Sequence, residues 1–155
     1  MKKTILNVGD IVVSSGPSIL ETILGSCVSV CLWDERLKIG GMNHFLLPQI
    51  STNIKDPAYC GSESIKKLVA ETLKLGASTR RLKAKIFGGC RVINGCENTF
   101  NVGGQNVRMA KKILNQYEIP IVMDLTGMDY GIKLVFYPVT GRAFVKKIES
   151  LPGSV

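Results

Sequence analysis

At 155 residues, with 45% hydrophobic and 21% charged side chains, the chain can build one folded domain and is not a disordered segment. No apolar run reaches the roughly 18 to 20 residues of a membrane span, and Asn7 and Asp10 interrupt the start before a secretory apolar stretch forms; this points to a cytoplasmic protein with no membrane insertion. The net charge of +8 comes from Lys and Arg in short dispersed groups without interleaved aromatics, which argues against nucleic acid and suits solubility or an acidic protein partner.

The first half reads as strands. Segments 10–14, 19–24, 27–33 and 39–46 are rich in Val, Ile and Leu, and are separated by the turn material Ser14-Ser15-Gly16-Pro17, Gly25-Ser26 and Asp34-Glu35-Arg36. Their order suggests an antiparallel meander. The chain then turns polar over 48–57, which predicts a surface loop close after His44 and able to cover it.

Two segments carry helical periodicity. Ile65, Leu68, Val69, Thr72 and Leu73 recur at three- and four-residue spacing and stop at Gly76; Val107, Ala110, Ile113, Leu114 and Tyr117 do the same before Pro120. Further strands are predicted at 84–87, 121–125, 133–137 and 142–147, the last two joined by a turn at Thr140-Gly141. With no internal repeat or low-complexity tract, residues 1–155 read as a single domain: a largely antiparallel sheet with two main helices packed on it.

The chemistry concentrates on one thiol and one imidazole. Cys27 lies in Gly25-Ser26-Cys27-Val28, and His44, the sole histidine of the sequence, lies in Asn43-His44-Phe45-Leu46-Leu47-Pro48. A cysteine nucleophile commonly needs an imidazole to take its proton, and small residues such as Gly25 and Ser26 let a substrate carbonyl approach the main-chain N–H groups of Ser26 and Cys27, which would hold an oxyanion. From the residue types alone, a small buried Cys27 and a satisfied core His44 is the more economical reading.

Other motifs carry less. The five cysteines are odd in number, give no disulfide framework and suit a reducing compartment as thiols. Cys27 and Cys31, or Cys90 and Cys96 in a Gly-rich stretch, lack the paired spacing of a structural zinc site, so no metal and no cofactor is assigned. Gly88-Gly89 is followed by no Gly-Lys-Ser/Thr, so backbone turning near the site is its better use.

Taken together, Leu24-Gly25-Ser26-Cys27-Val28, His44 with Leu47-Pro48, Tyr59, Leu75-Gly76-Ala77, Lys85-Ile86-Phe87-Gly88-Gly89, Val102-Gly103-Gly104-Gln105-Asn106 and Thr140-Gly141 resemble the CheD family of chemoreceptor glutamine deamidases. The resemblance spans nearly the whole chain and reverses the reading of Cys27 and His44. It implies an α/β fold, a single-domain layered sandwich of mixed, largely antiparallel sheet with two main helices, similar to the catalytic domain of cytotoxic necrotising factor toxins, with Cys27 as nucleophile and His44 as base in hydrolysing receptor glutamines to glutamates. It also implies two partners, chemoreceptor cytoplasmic domains and the phosphatase CheC.

Three departures stand out. Gln105 replaces a family arginine, and Ile132 replaces the arginine of a Gly-Arg-Lys stretch; both bear on receptor or CheC recognition. The family's third site member is a threonine about six residues before the cysteine. That position here is Glu21, with Thr22 five before, so either can orient His44. A regular strand over 20–26 would put Glu21 on the face of Cys27, whereas a turn at Gly25 would break that parity. Beside deamidation stand two alternatives: a CheC- or receptor-binding adaptor with weak or no activity, which the intact Cys27 and His44 argue against, and a thiol amidohydrolase of small amides, for which no ligand motif speaks.

Overall fold

The computed structural model describes residues 1–50, 56–93, 96–97 and 101–148. In chain order the elements are β1 (Lys2–Ile5), β2 (Ile11–Ser14), β3 (Ser18–Leu24), β4 (Val28–Asp34), β5 (Ile39–Asn43), a 3-10 turn (Pro57–Tyr59) and α1 (Gly61–Lys74). There follow β6 (Lys83–Gly88), β7 (Val92–Ile93), β8 (Cys96–Glu97), α2 (Val102–Gln116), β9 (Ile121–Thr126), β10 (Gly131–Tyr137) and β11 (Arg142–Ile148). The part of the predicted covering loop at 51–55 lies outside the described residues.

These elements stack in three layers. A five-stranded sheet of order β2-β5-β4-β6-β9 lies between the two helices and a four-stranded sheet of order β1-β3-β10-β11. Pairing is antiparallel except for β1 with β3 and β6 with β9, so the sheets are mixed and largely antiparallel.

Strand β4 is buried at every position because it has an apolar layer on both faces. Its alternation sends Val28, Val30 and Leu32 toward Ile65, Leu68, Ala110 and Leu114 of the helices. Cys31 and Trp33 point the other way, toward Leu20 and Leu24 of β3 and Leu134 and Phe136 of β10. Each fully buried aliphatic side chain of this kind contributes about 1.5 to 3 kcal/mol. The two helices present the apolar stripes their periodicity predicts, and α1 gives way at Gly76, whose φ of +110° suits glycine.

The expected meander is not what forms. Segments 10–14, 27–33 and 39–46 join the five-stranded sheet, but 19–24 crosses to the other sheet and pairs in parallel with β1, a strand the sequence pattern did not announce. The reason is the short Gly25-Ser26 link, which hands the chain from one sheet to the other instead of folding it back as a hairpin. Strand β5 also stops at Asn43; beyond it only an isolated Val28–Phe45 bridge continues the ladder. Among the described residues, no helix is long and apolar enough to cross a membrane.

Candidate active site

Cys27, Thr22 and His44 converge on the inter-sheet layer at one end of the sandwich. In β3 the inward residues are Ser18, Leu20, Thr22 and Leu24, so Thr22 faces the second sheet. In that sheet the Val28–Phe45 bridge sets both of these side chains toward the helices. The residues just before them, Cys27 and His44, therefore share the opposite face as diagonal cross-strand neighbours. Cys27 packs against the inter-sheet core, and His44 is 5% exposed.

The imidazole is held from several sides. Thr22 Oγ1 lies 2.7 Å from His44 Nδ1 and donates its own proton to the Leu6 carbonyl at 2.8 Å. A hydroxyl has one proton, so Nδ1 must be the donor to Oγ1 and the lone pair falls on Nε2. The backbone of His44 is pinned too, its N–H donating to Asp10 O at 3.2 Å and its carbonyl accepting from Gly9 N–H at 2.8 Å.

Glu21 takes no part in this. It lies on the other face of β3, where its carboxylate meets Lys3 at 3.2 Å and Lys133 at 3.9 Å. The parity expected of a regular strand over 20–26 fails because β3 ends at Leu24 and Cys27 lies just before β4 of the neighbouring sheet.

The segment carrying Cys27 is anchored by its carbonyls. Gly25 O accepts from Cys90 N–H at 2.9 Å, Cys27 O accepts from Gly89 N–H at 2.8 Å, and Ser26 O accepts from Asn106 Nδ2 at 3.0 Å. In a trans peptide the N–H points opposite to the carbonyl of the preceding residue. Fixing Gly25 O and Ser26 O therefore turns the N–H groups of Ser26 and Cys27 to the other side, and among the described residues neither donates to another residue's oxygen. Gly88 permits this approach: its φ is +102°, and a Cβ there would lie 2.3 Å from Cys27 O.

Burial governs the protonation of both groups. It pushes the Cys27 thiol from 9.0 up to about 11, with its own backbone N–H lowering the value and Cys90 raising it. Burial likewise lowers His44 below 6.5, offset in part by Asp10 and by the nearby Leu6 carbonyl. At neutral pH the thiol and the imidazole are both uncharged, and among the described residues no hydrogen bond joins them. A cavity of about 350 Å³ opens beside Thr22 and His44, walled also by Leu6, Asn7, Glu21, Ile23 and Lys133; Cys27 is not in its wall.

The remaining sequence candidates are placed as follows. Cys31, Cys60 and Cys90 are buried, and Cys90 Sγ donates to Tyr130 O at 2.8 Å. The side chain of Cys96 lies outside the described residues. Among the described residues, no group of three or more His, Cys, Asp or Glu side chains is set to hold a metal. Ile132 is fully buried in the inter-sheet core, so its departure from arginine bears on packing and not on an exposed recognition surface.

In the sequence Asn106 stands out only as part of the Val102-Gly103-Gly104-Gln105-Asn106 stretch. It is 0% exposed in the second turn of α2, and its Nδ2 donates both to Ser26 O and, at 2.9 Å, to Leu46 O. A polar residue on the apolar stripe that includes Val107 and Ala110 was the signal that could have singled it out.

Comparison with known proteins places these residues in context. Residues 46–147 match the family model described as CheD chemotactic sensory transduction. The chain is 38% identical over 143 residues, 92% of its length and 83% of the relative's, to a probable chemoreceptor glutamine deamidase CheD 1 of Anaeromyxobacter dehalogenans. It is 47% identical over 136 residues, 85% of its length and 72% of the relative's, to a probable chemoreceptor glutamine deamidase CheD of Rhizobium leguminosarum bv. trifolii. A relative of the same description in Rhodospirillum rubrum is 37% identical over 150 residues, 97% of this chain and 85% of that one. The family-model match begins after His44, whereas the last of these pairwise matches spans both Cys27 and His44.

Proposed function

This chain belongs to the CheD family, and from that premise we propose that it hydrolyses glutamine side chains of chemoreceptor cytoplasmic domains to glutamate, with Cys27 as nucleophile and His44 as base. The observation that carries the residue assignment is the Leu6–Thr22–His44 hydrogen-bond chain, which leaves the Nε2 lone pair free on the face shared with Cys27.

The neutral resting pair sets the order of events. As Cys27 Sγ bonds to the carboxamide carbon, its proton passes to His44 Nε2, and the imidazolium that forms is stabilised through Nδ1–H and the Thr22 oxygen. The carbonyl oxygen becomes an oxyanion held by the Ser26 and Cys27 N–H groups. His44 then returns the proton to the departing nitrogen, the C–N bond breaks, and ammonia leaves a γ-glutamyl thioester. Water, deprotonated by Nε2, attacks that carbonyl; the C–S bond breaks, the proton returns to the thiolate, and glutamate is released.

Thr22 acts here as the orienting residue, and Glu21 serves the Lys3 and Lys133 pairs. The reading treats residues 1–155 as one deamidase domain working in the cytoplasm, supported by the way β4 is shared between the two apolar layers. A likeness to the cytotoxic necrotising factor catalytic domain, and CheC as a regulatory partner, belong to the same reading through the family.

The second reading is an adaptor that binds CheC or receptors with weak or no activity; the uncharged Cys27 and His44, unjoined by a hydrogen bond, favour it. One experiment separates the two. The protein is incubated with chemoreceptor cytoplasmic fragments, and glutamine-to-glutamate conversion is mapped by peptide mass spectrometry for the parent, Cys27→Ala and His44→Ala. Conversion by the parent alone supports the deamidase; binding of the fragments with no conversion by any of the three establishes the adaptor.

A further inference from the structure

The ladder between β4 and β5 ends beside the nucleophile. Val28 and Phe45 exchange both of their backbone hydrogen bonds, at 3.1 and 3.0 Å, so the Cys27–Leu46 position is a non-hydrogen-bonded one, where Leu46 N–H points away and donates to Tyr59 O at 2.9 Å; the next rung, Ser26 with Leu47, is not made, and Leu47 N–H turns to Tyr59 O at 3.2 Å. The Leu46 carbonyl and the Ser26 carbonyl are then both satisfied by one side chain, the Asn106 amide.

The chemistry of that amide is restrictive. Two carbonyl oxygens require two N–H donors, and the flipped amide would set Oδ1 against both of them, so the orientation is fixed. Oδ1 itself is buried and meets no hydrogen-bond partner among the described residues, so the donor end alone dictates where the side chain lies. The backbone beneath is equally constrained, since a Cβ on Gly103 would lie 2.6 Å from both Gly89 O and Cys90 O. The first turns of α2 thus press directly onto the segment that anchors Cys27.

We infer that Asn106 is a positioning residue for deamidation. One N–H turns the Ser26–Cys27 peptide so that the Cys27 N–H faces the reacting carbonyl oxygen; the other holds Leu46, two residues beyond His44, and so sets the separation of Sγ from Nε2. This rests on the deamidase reading for its consequence in catalysis. The clamp itself is a matter of loop geometry and can be read without turnover.

The test uses Asn106→Ala and Asn106→Asp, the second keeping the volume while losing both donors. Two quantities are measured on the full chain: kcat and KM on a receptor fragment, corrected for folded fraction by circular dichroism, and iodoacetamide labelling of each cysteine by peptide mapping. A freed Cys27 segment is more exposed and less desolvated, so Cys27 labels severalfold faster while Cys31 and Cys60 stay as protected as in the parent. The same variants lose about tenfold or more in kcat with KM unchanged, because misplacement of a reacting group by about 1 Å can cost about a hundredfold.

A more reactive thiol in a slower enzyme is the signature of positioning. Labelling of Cys27 at the parental rate, or a parallel rise at Cys31 and Cys60, overturns the inference, as does an unchanged kcat per folded molecule. If the parent itself converts no glutamine, the deamidase reading fails while the labelling pattern still decides the clamp. Should Asn106→Asp not fold, Asn106→Ala carries the same comparison.

Discussion

Thr22 Oγ1 sits 2.7 Å from His44 Nδ1 although Thr22 belongs to one sheet, His44 directly follows β5 of the other, and the two stand 22 positions apart. Because the hydroxyl proton is committed to Leu6 O, the contact fixes both the tautomer and the tilt of the ring. Thr22→Val keeps the shape and removes the acceptor, so kcat falls about 10- to 100-fold with the fold retained. Glu21→Gln leaves kcat at the parental level, since its carboxylate faces Lys3 and Lys133. Equal losses in the two variants, measured as steady-state deamidation of a receptor fragment, would overturn this assignment.

Cys27→Ala and His44→Ala each abolish deamidation while circular dichroism stays native-like, since each removes a participant in one proton and acyl transfer. Conversion of Cys31 or Cys60 to Ala leaves kcat per folded molecule unchanged, both being buried in packing positions. Deamidation at the parental rate by a folded Cys27→Ala variant would remove the thiol mechanism.

The pH profile follows from the protonation states. His44 must be neutral to act as base, and its value is held below 6.5 by burial, so kcat/KM rises with pH below 6.5 and is flat through neutrality. A profile that instead rises near pH 4 and falls near pH 8 would indicate a preformed thiolate–imidazolium pair. Stability moves in the same direction. Below 6.5 the unfolded chain takes up a proton before the folded one, so folding stability is lost as the pH falls, and His44→Ala flattens that slope in urea titrations.

Alkylation separates exposure from ionisation. Among the cysteines whose side chains are described, Cys27 is the one that is not buried, so iodoacetamide labels it ahead of Cys31, Cys60 and Cys90. With its thiol raised to about 11, labelling is slow at pH 7 and still accelerating above pH 9. Rapid labelling that is level from pH 6 to 8 would show an ionised thiol and refute the neutral resting pair.

Gly88→Ala tests the link between fold and site. The new methyl would press on Cys27 O at 2.3 Å in a backbone conformation of φ +102°, so it costs about 1 to 3 kcal/mol of stability and lowers kcat in the remaining folded protein. Unfolding titrations and activity per folded molecule check the two effects separately; a change in stability alone would detach Gly88 from the placement of Cys27.

Much of this was legible in the sequence because it depends on local periodicity. The apolar repeats of α1 and α2, the double-faced apolar run of β4 and the Thr140-Gly141 turn are all patterns along the chain. What the pattern could not supply was partnership. Strand 19–24 looks like its neighbours, and only the Gly25-Ser26 link decides that it leaves their sheet; β1, at four residues with two lysines, is defined by its pairing with β3 and not by burial. The same limit applied to Glu21 and Thr22, since face parity holds along a strand and lapses where the chain changes sheet. For Asn106 the sequence shows only a polar residue on an apolar stripe, because its role lies in two carbonyls distant in sequence, Ser26 and Leu46.

The handover at Gly25-Ser26 has a consequence for how variation acts on this molecule. Thr22 rides on one sheet while His44 and Cys27 flank strands of the other, so in the proposed mechanism the thickness of the hydrocarbon spacer between them is itself a catalytic coordinate. Leu24, Phe87 and Ile132 are parts of that spacer. A change of one methylene there alters the sheet-to-sheet gap by fractions of an ångström, which a hydrogen bond of 2.7 Å registers long before the fold does. Turnover is therefore tunable from the interior, by bulk, without touching a single polar atom.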